Sequence, residues 1–409
     1  MHPRRQPAAM SSKSCDDDDF AALFLMMSGR TALLSSLISE TRLRDFMSSL
    51  EKRLRYCRIP RCALVDTRQS SFQRLLLSRN DQAFITFTGL DFSNFQYLLN
   101  KFTPLYNRYS PYSQSGKITV IRDRVVKKGR PRSLGPADCL GLVLGYTRTK
   151  GSLFALQMVF GASHSVLCLF LKYSTRLLFR VLQEEEDARV ALPSPEEIAE
   201  YQDVIESNYP ALQGVWCVMD GLKIKIEKSS DEETQNTYYN GWLHSHFVGC
   251  VYVFVPSGVV VASAVNAPGS WHDSEIATNC GLYDKLQSIF DSSGGKAVVD
   301  SAFSKKRCPF MIKSGKRKPG ETARRTVIRQ QATSLRQCAE WGMRAIQGSF
   351  PRLKDKLLFS ESLENRKVFL NLITMLLNFR TRRIGFNQLM STYYPRFEAV
   401  GDDAIDYIN

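Results

Sequence analysis

The sequence predicts an α/β protein in which a mixed sheet carries helices on both faces, with a helical region ahead of it. Three observations lead there. Val215, Trp216, Cys217, Val218 and Met219 form an apolar run, and alternation resumes at Leu222, Ile224 and Ile226, the pattern of a buried strand. Apolar segments 247–255 and 259–265 flank Pro256-Ser257-Gly258 and read as a hairpin. A last short run, Ala297-Val298-Val299, stands between helical-looking segments. Strands interleaved with helices in this way pack as a sheet covered by helical layers.

Taken in order, residues 1–30 read as a disordered lead. Residues 31–126 read as a helical N-terminal region. Apolar residues recur at helical spacing at Leu33, Leu34, Leu37 and Ile38, then at Phe72, Leu75, Leu76 and Leu77. Beyond Gly89 they continue at Phe92, Phe95, Leu98, Leu99 and Phe102. The stretch 106–128, rich in Tyr, Ser and basic residues, reads as a linker.

Residues 127–190 begin with a basic arm, KKGRPRSLGP, and continue with helical segments 137–147, 152–160 and 164–182. The Gly161-Ala162-Ser163 turn has helix-turn-helix spacing, with Ser163 a candidate N-cap. Such a module suits DNA, the arm on the backbone or minor groove and a helix in the major groove. The alternative is a helical bundle with a solvated arm, and the very apolar third segment weakens it as a groove reader. Acidic 184–187 and Pro193-Ser194-Pro195 mark a boundary. Residues 197–356 then carry the predicted strands and the chemistry, and 357–409 finish the chain in helices.

Composition narrows the function class. The chain has 409 residues, a net charge of +15 and an isoelectric point near 9.4, which favour a polyanionic partner. Between 301 and 356 there are 15 lysines and arginines against Glu321, Glu340 and Asp355. Ten cysteines show no CxxC or Cys/His spacing of a zinc site and read as reduced thiols of an intracellular protein. No apolar run approaches the length of a membrane span, and the DDDD run at 16–19 is not the start of a signal peptide. A soluble protein without a membrane partner is expected.

The chemistry lies in three acids. Asp220 follows the first apolar run, Asp300 ends the last, and Glu340 sits in a helical segment. An acid at the end of a buried strand is costly without a cation or partner. Three carboxylates from two strands and a helix can cage Mg²⁺, and a pair of such ions can drive in-line attack on a phosphodiester. The competing reading makes Asp220 and Asp300 turn acids and Glu340 a surface residue. Asp273 rivals Asp300 as a metal ligand, though its position after His272 at a helix start reads first as an N-cap. His272 fits a metal shell, a phosphate contact or simple packing, and His244 and His246 read as structural.

The block from about 214 to 355 resembles the DDE transposases of the Harbinger group. The matching motifs are VMDG (218–221), YYNGW (238–242), PGSWHDSEI (268–276), VVDSAF (298–303) and CAEWGMRAIQGSFPRL (338–353). With the helix-turn-helix-like stretch, the resemblance covers most of the chain beyond the first ~70 residues. It implies a ribonuclease-H-like catalytic domain, with the family's three metal-binding acids on Asp220, Asp300 and Glu340 and two Mg²⁺ or Mn²⁺ ions. It puts His272 and Asp273 on the family's His-Asp motif, in a role supporting the ligands or positioning substrate. Two sites depart from it: Ala302-Phe303 where many members have Gly-Tyr, and Trp341-Gly342-Met343 where many have Arg-Ala-Phe.

The resemblance implies an enzyme that cuts transposon ends at terminal inverted repeats and joins them to target DNA. It also implies a separate Myb-like partner protein. Lys127, Lys128, Arg130, Lys305, Lys306, Lys316, Arg317, Lys318, Arg324 and Arg325 are the expected DNA contacts, and a homo-oligomer is expected. The alternative use of the basic stretch 305–336 is as a solvated loop. KKGRPR and GKRKPG also suit nuclear import signals, so the expected location is the nucleus. The rival function is a domesticated derivative that binds DNA or protein without transposing. The intact acid triad favours the enzyme, since a binder gains nothing from carboxylates clustered beside phosphate.

Overall fold

A computed structural model describes residues 59–112, 119–120, 131–229, 231–303, 308–316, 319–357, 362–385 and 387–394. The expected lead at 1–30 and the first helical run after it lie outside them. Beyond Pro60 the described residues fall in one unit, Arg61–Asn409.

Polar caps open the first three α-helices among the described residues. Ser70, Asn80 and Asp91 accept hydrogen bonds from Gln73, Ala83 and Asn94 N–H groups, starting α1 (Ser71–Ser78), α2 (Asp81–Thr88) and α3 (Phe92–Arg108). Phe72, Phe84 and Phe95 pack together inside. The stretch read as a linker holds two short strands, β1 (Tyr109–Ser110) and β2 (Thr119–Val120), paired antiparallel. The expected helices follow as α4 (Pro136–Arg148), α5 (Phe154–Phe160) and α6 (His164–Gln183).

α5 and α6 meet at 88°. Ser163 stands at the N-cap of α6, but its side chain makes no capping bond. Leu167, Phe170, Tyr173, Leu177 and Leu178 bury α6 along its length, so it serves as a core helix. Arg132, at the end of the basic arm, is also turned inward: its guanidinium stacks 4.4 Å from the Tyr106 ring centre and donates to Tyr109 O at 2.9 Å. Among the described residues no single helix is long and apolar enough to cross a membrane. The described cysteines are free thiols.

After α7 (Pro195–Asn208), opened by a Ser194–Glu197 capping box, the sheet begins. Its elements run β3 (Val215–Lys225), α8 (Glu232–Tyr238), β4 (Tyr239–Asn240), β5 (Ser245–Phe254) and β6 (Val260–Pro268). Then come α9 (Asp273–Asn279), α10 (Leu282–Ser293), β7 (Lys296–Val299) and β8 (Met311–Lys313). The spatial order is β6-β5-β3-β7-β8, with β4 pairing the start of β5. β3, β5 and β6 are antiparallel neighbours, whereas β7 and β8 join parallel on the other side of β3. α11 (Ala323–Ser349), α12 (Leu363–Ile384) and α13 (Gln388–Tyr393) complete the described chain.

Strand alternation divides the sheet between two cores. Val218, Leu222, Tyr252 and Phe254 belong with α11, α12 and the N-terminal helices. Met219, Val251, Val253 and Val299 belong with α9 and α10. The sheet is therefore mixed and covered on both faces, as its sequence pattern implies. At its edge, the α12 side chain Asn378 accepts from Val260 N–H at 2.9 Å and donates to Val260 O at 2.8 Å, blocking an open β6 edge.

Three local features go beyond the sequence pattern. The helical stretch after His272 breaks at Gly281, whose φ of +69° suits the residue without a Cβ. The polar stretch 229–240 contains α8, started by Asp231 accepting from Thr234 N–H. The basic stretch 305–336, for which a solvated loop is the alternative reading, is helical from Ala323 onward. There Ala332, Leu335, Cys338 and Ala339 form a buried stripe that the surrounding charge disguises.

Candidate active site

Asp220 is the sixth residue of the 11-residue β3, not its last, which corrects the expectation of an acid at a strand end. The strand that ends here is β7. Its pairing with β3 runs through Val218–Val298 and Met219–Val299, and Asp300 then leads into a turn. Asp220 and Asp300 thus follow paired residues on adjacent parallel strands, whose backbones lie about 4.8 Å apart. Alternation points Asp220 to the same face as Val218, the one covered by α11. On its other flank, the antiparallel partner of Asp220 is the buried Tyr252.

α11 brings Glu340 to that face. One Arg336 nitrogen lies 2.8 Å from Glu340 Oε1 and the other 3.6 Å from Asp220 Oδ2, so a single guanidinium spans both acids. The helix comes this close because Gly342 has no side chain: a Cβ there would stand 2.7 Å from the Phe254 ring. The Asp220 side chain is 16% exposed, against 42% for Glu340. Burial pushes the Asp220 carboxyl up to about 6, and the negative charges of Asp300 and Asp273 add to the rise. The Gly221 N–H, donating to Oδ1 at 2.8 Å, and Arg336 oppose it.

Asp273 takes a different place. His272, not Asp273, is the N-cap of α9, and its N–H donates to Glu275 at 2.9 Å; Asp273 is the first helical residue. Its carboxylate fills the space that a Gly221 side chain would occupy, with Oδ2 2.3 Å from an ideal Cβ. Successive strand residues face opposite sides, so Asp273 covers β3 on the face away from the Asp220 side chain. Lys223 Nζ lies 3.5 Å from Asp273 Oδ1 and donates to Trp271 O at 2.7 Å, locking that corner. His272 is exposed. His246 is buried against Tyr239 with its pKa lowered by burial and by Lys228, a packed strand residue, and His244 sits at φ +48° in the preceding turn.

Three carboxylates are the right donors for a hard divalent cation, and a positive charge, Arg336, already lies between two of them. In donor type the residues therefore fit Mg²⁺ or Mn²⁺. Among the described residues, however, no three His, Cys, Asp or Glu side chains stand close enough to hold a metal as they are. Glu340 reaches Arg336 instead.

Of the expected DNA contacts, Lys316, Arg324 and Arg325 are exposed. Lys127, Lys128, Arg130, Lys305, Lys306, Arg317 and Lys318 lie outside the described residues. Arg329 is bound inward to Glu321 at 2.7 Å. A cavity of about 510 Å³ opens between α6, α12 and the segment 352–357, and no predicted site residue lines it. Sequence reasoning missed Arg336 and Lys223. Arg336 had a legible signal, since it precedes Glu340 by four residues on a helix. Lys223 had a weaker one, two residues beyond Gly221 on the same strand face.

Comparison with known proteins adds one match. Residues 219–378 fit the family model of the DDE superfamily endonuclease. That segment runs from β3 into α12 and includes Asp220, Asp273, Asp300 and Glu340. No curated protein and no solved structure matches the chain. Over residues 219–378 the chain is similar to the DDE superfamily endonucleases, which supports a transposase-like nuclease with DNA as its substrate.

Proposed function

We propose that this protein is a metal-dependent DDE transposase of the Harbinger type, cutting and joining DNA phosphodiesters at transposon ends in the nucleus. The observation that carries the reading is the register of Asp220 and Asp300 on adjacent parallel strands, with the helix of Glu340 on the Asp220 face. The strand order supports a ribonuclease-H-like domain: three antiparallel strands, with two more joining parallel beside the first.

Asp220 and Asp300 would serve as oxygen ligands from the sheet, and Glu340 would complete the set from α11. Divalent ions held by these carboxylates would supply activation of the nucleophile and charge stabilisation at the leaving oxygen. The low exposure of Asp220 strengthens its interaction with a cation. Asp273 and Lys223 stiffen β3 from behind, and Lys316, Arg324 and Arg325 hold DNA phosphates.

The test is Mn²⁺-dependent nicking of DNA carrying the element's terminal repeat. The wild type should nick it, and Asp220→Asn, Asp300→Asn and Glu340→Gln should each abolish cutting. A wild type that binds this DNA tightly but never cuts it, in Mg²⁺ or Mn²⁺, would mark the chain as a DNA-binding derivative.

A further inference from the structure

We propose that Arg336 is a built-in counter-ion that holds Asp220 and Glu340 when no divalent cation is bound and competes with that cation for the same two carboxylates. This inference rests on the reading of those acids as metal ligands.

The geometry is specific to this arginine. Its two terminal nitrogens reach different acids, Nη2 to Glu340 at 2.8 Å and Nη1 to Asp220 at 3.6 Å. Being four residues before Glu340, it is placed beside that carboxylate by the helix itself. Asp220 then comes within reach because Gly342 lets α11 pack close to Phe254. Arg329, seven residues earlier on the same helix, is engaged by Glu321 and takes no part.

A guanidinium does not lose its proton in a protein, so Arg336 cannot vacate the acids by titration. It has to move. Its side chain is 25% exposed, which leaves a route to solvent. A divalent cation needs carboxylate oxygens at about 2.0–2.1 Å in the case of Mg²⁺, a distance that the bridging guanidinium blocks by occupancy and by charge. Metal uptake at this pair is therefore an exchange of one cation for another. The inward arginine also accounts for Glu340 lying against Arg336 rather than closing on Asp220 and Asp300.

Calorimetric titration of the metal-free full chain with Mn²⁺ tests this, without reference to DNA cleavage. Arg336→Gln should bind Mn²⁺ about two- to fivefold more tightly than wild type, the range a partly exposed ion pair can hold back. Lys285→Gln, on the exposed side of α10, should leave the affinity unchanged. Should Arg336→Gln not fold, Arg336→Lys keeps the charge but offers one nitrogen in place of a two-armed fork, and should tighten binding by less. Affinity that Arg336→Gln leaves equal or weakens, or an Arg336→Lys protein no tighter than wild type, overturns the inference. Equal tightening by Lys285→Gln also overturns it, because the effect would then be a general field. Binding that Asp220→Asn abolishes but Arg336→Gln does not tighten defeats the counter-ion alone. A wild type with no Mn²⁺ uptake, or an Asp220→Asn protein that binds as well, defeats the metal reading beneath it as well.

Discussion

Asp220 is held where ionisation is costly, and its stability effect therefore has a sign that can be measured. Burial, with Asp300 and Asp273 nearby, lifts its carboxyl to about 6. Between the ordinary carboxylate range and that value the folded protein keeps a proton that the unfolded chain releases. The stability so gained is complete below the unfolded pKa and is lost as pH rises through the folded one. From about pH 4 to 7 metal-free wild type should lose up to roughly 3 kcal/mol relative to Asp220→Asn, taking 1.36 kcal/mol per pKa unit. Melting curves in chelator at acid and neutral pH measure this, and the difference should move in the variant's favour as pH rises. A variant that melts far below wild type at neutral pH would identify a structural carboxylate. Asp220→Asn should also erase any thermal stabilisation by Mn²⁺, since a ligand bound only by the native state stabilises through mass action.

Among the elements, α11 matters most, because it carries Glu340 and Arg336 and its distance from the sheet decides what they reach. Two glycines on it make opposite predictions. At Gly342 a Cβ would stand 2.7 Å from the Phe254 ring. Gly342→Ala should cost about 1–3 kcal/mol as an overpacked core position, more than the helix-propensity gain of Ala. By lifting α11 it should also reduce stabilisation by Mn²⁺. At Gly348 nothing lies within 4 Å of the added carbon. Gly348→Ala should stabilise the protein by about 0.5–1 kcal/mol, from propensity and a less disordered unfolded chain. Thermal denaturation with and without Mn²⁺ separates the two, and a Gly342→Ala protein as stable as Gly348→Ala would show that α11 is not held at this contact. On β3 the corresponding position is Gly221, where an added side chain meets the Asp273 carboxylate from the far face.

For the molecule as a whole, the governing quantity is its charge of +15. Arg329, Arg336 and Arg132 are drawn into internal pairs, whereas Lys316, Arg324 and Arg325 remain on the surface. Replacing those three by Gln should weaken binding to unrelated duplexes alike. The slope of log affinity against log salt should become shallower by roughly 0.9 for each phosphate that is no longer neutralised. Fluorescence anisotropy over a salt series on two DNA sequences measures both. A loss confined to one sequence would mean that these side chains read bases.

Local pattern was enough to define most of the elements and their order, though not the short β1, β2, β4 and β8 or α8. Apolar runs marked β3, β5, β6 and β7, with alternation only in the second half of β3, and helical spacing marked α3 through α6 and α12, because each pattern is the local imprint of a face that will be buried. The acids of β3, β7 and α11 were likewise legible, each attached to a recognisable run. Which groups meet was settled by packing. That Asp220 lies in mid-strand follows from β5, which goes on pairing with β3 as far as Lys225 after β7 has stopped, a property of pairing and not of β3 alone. That Asp273 covers Gly221 from the opposite face follows from where α9 packs, some 50 residues away in sequence. α6, with helix-turn-helix spacing, became a core helix because its apolar face found α4 and α12. Arg336 came to rest between Asp220 and Glu340 because packing at Gly342 brought a cation within reach of two carboxylates, and such long-range pairing leaves no periodic trace in the chain.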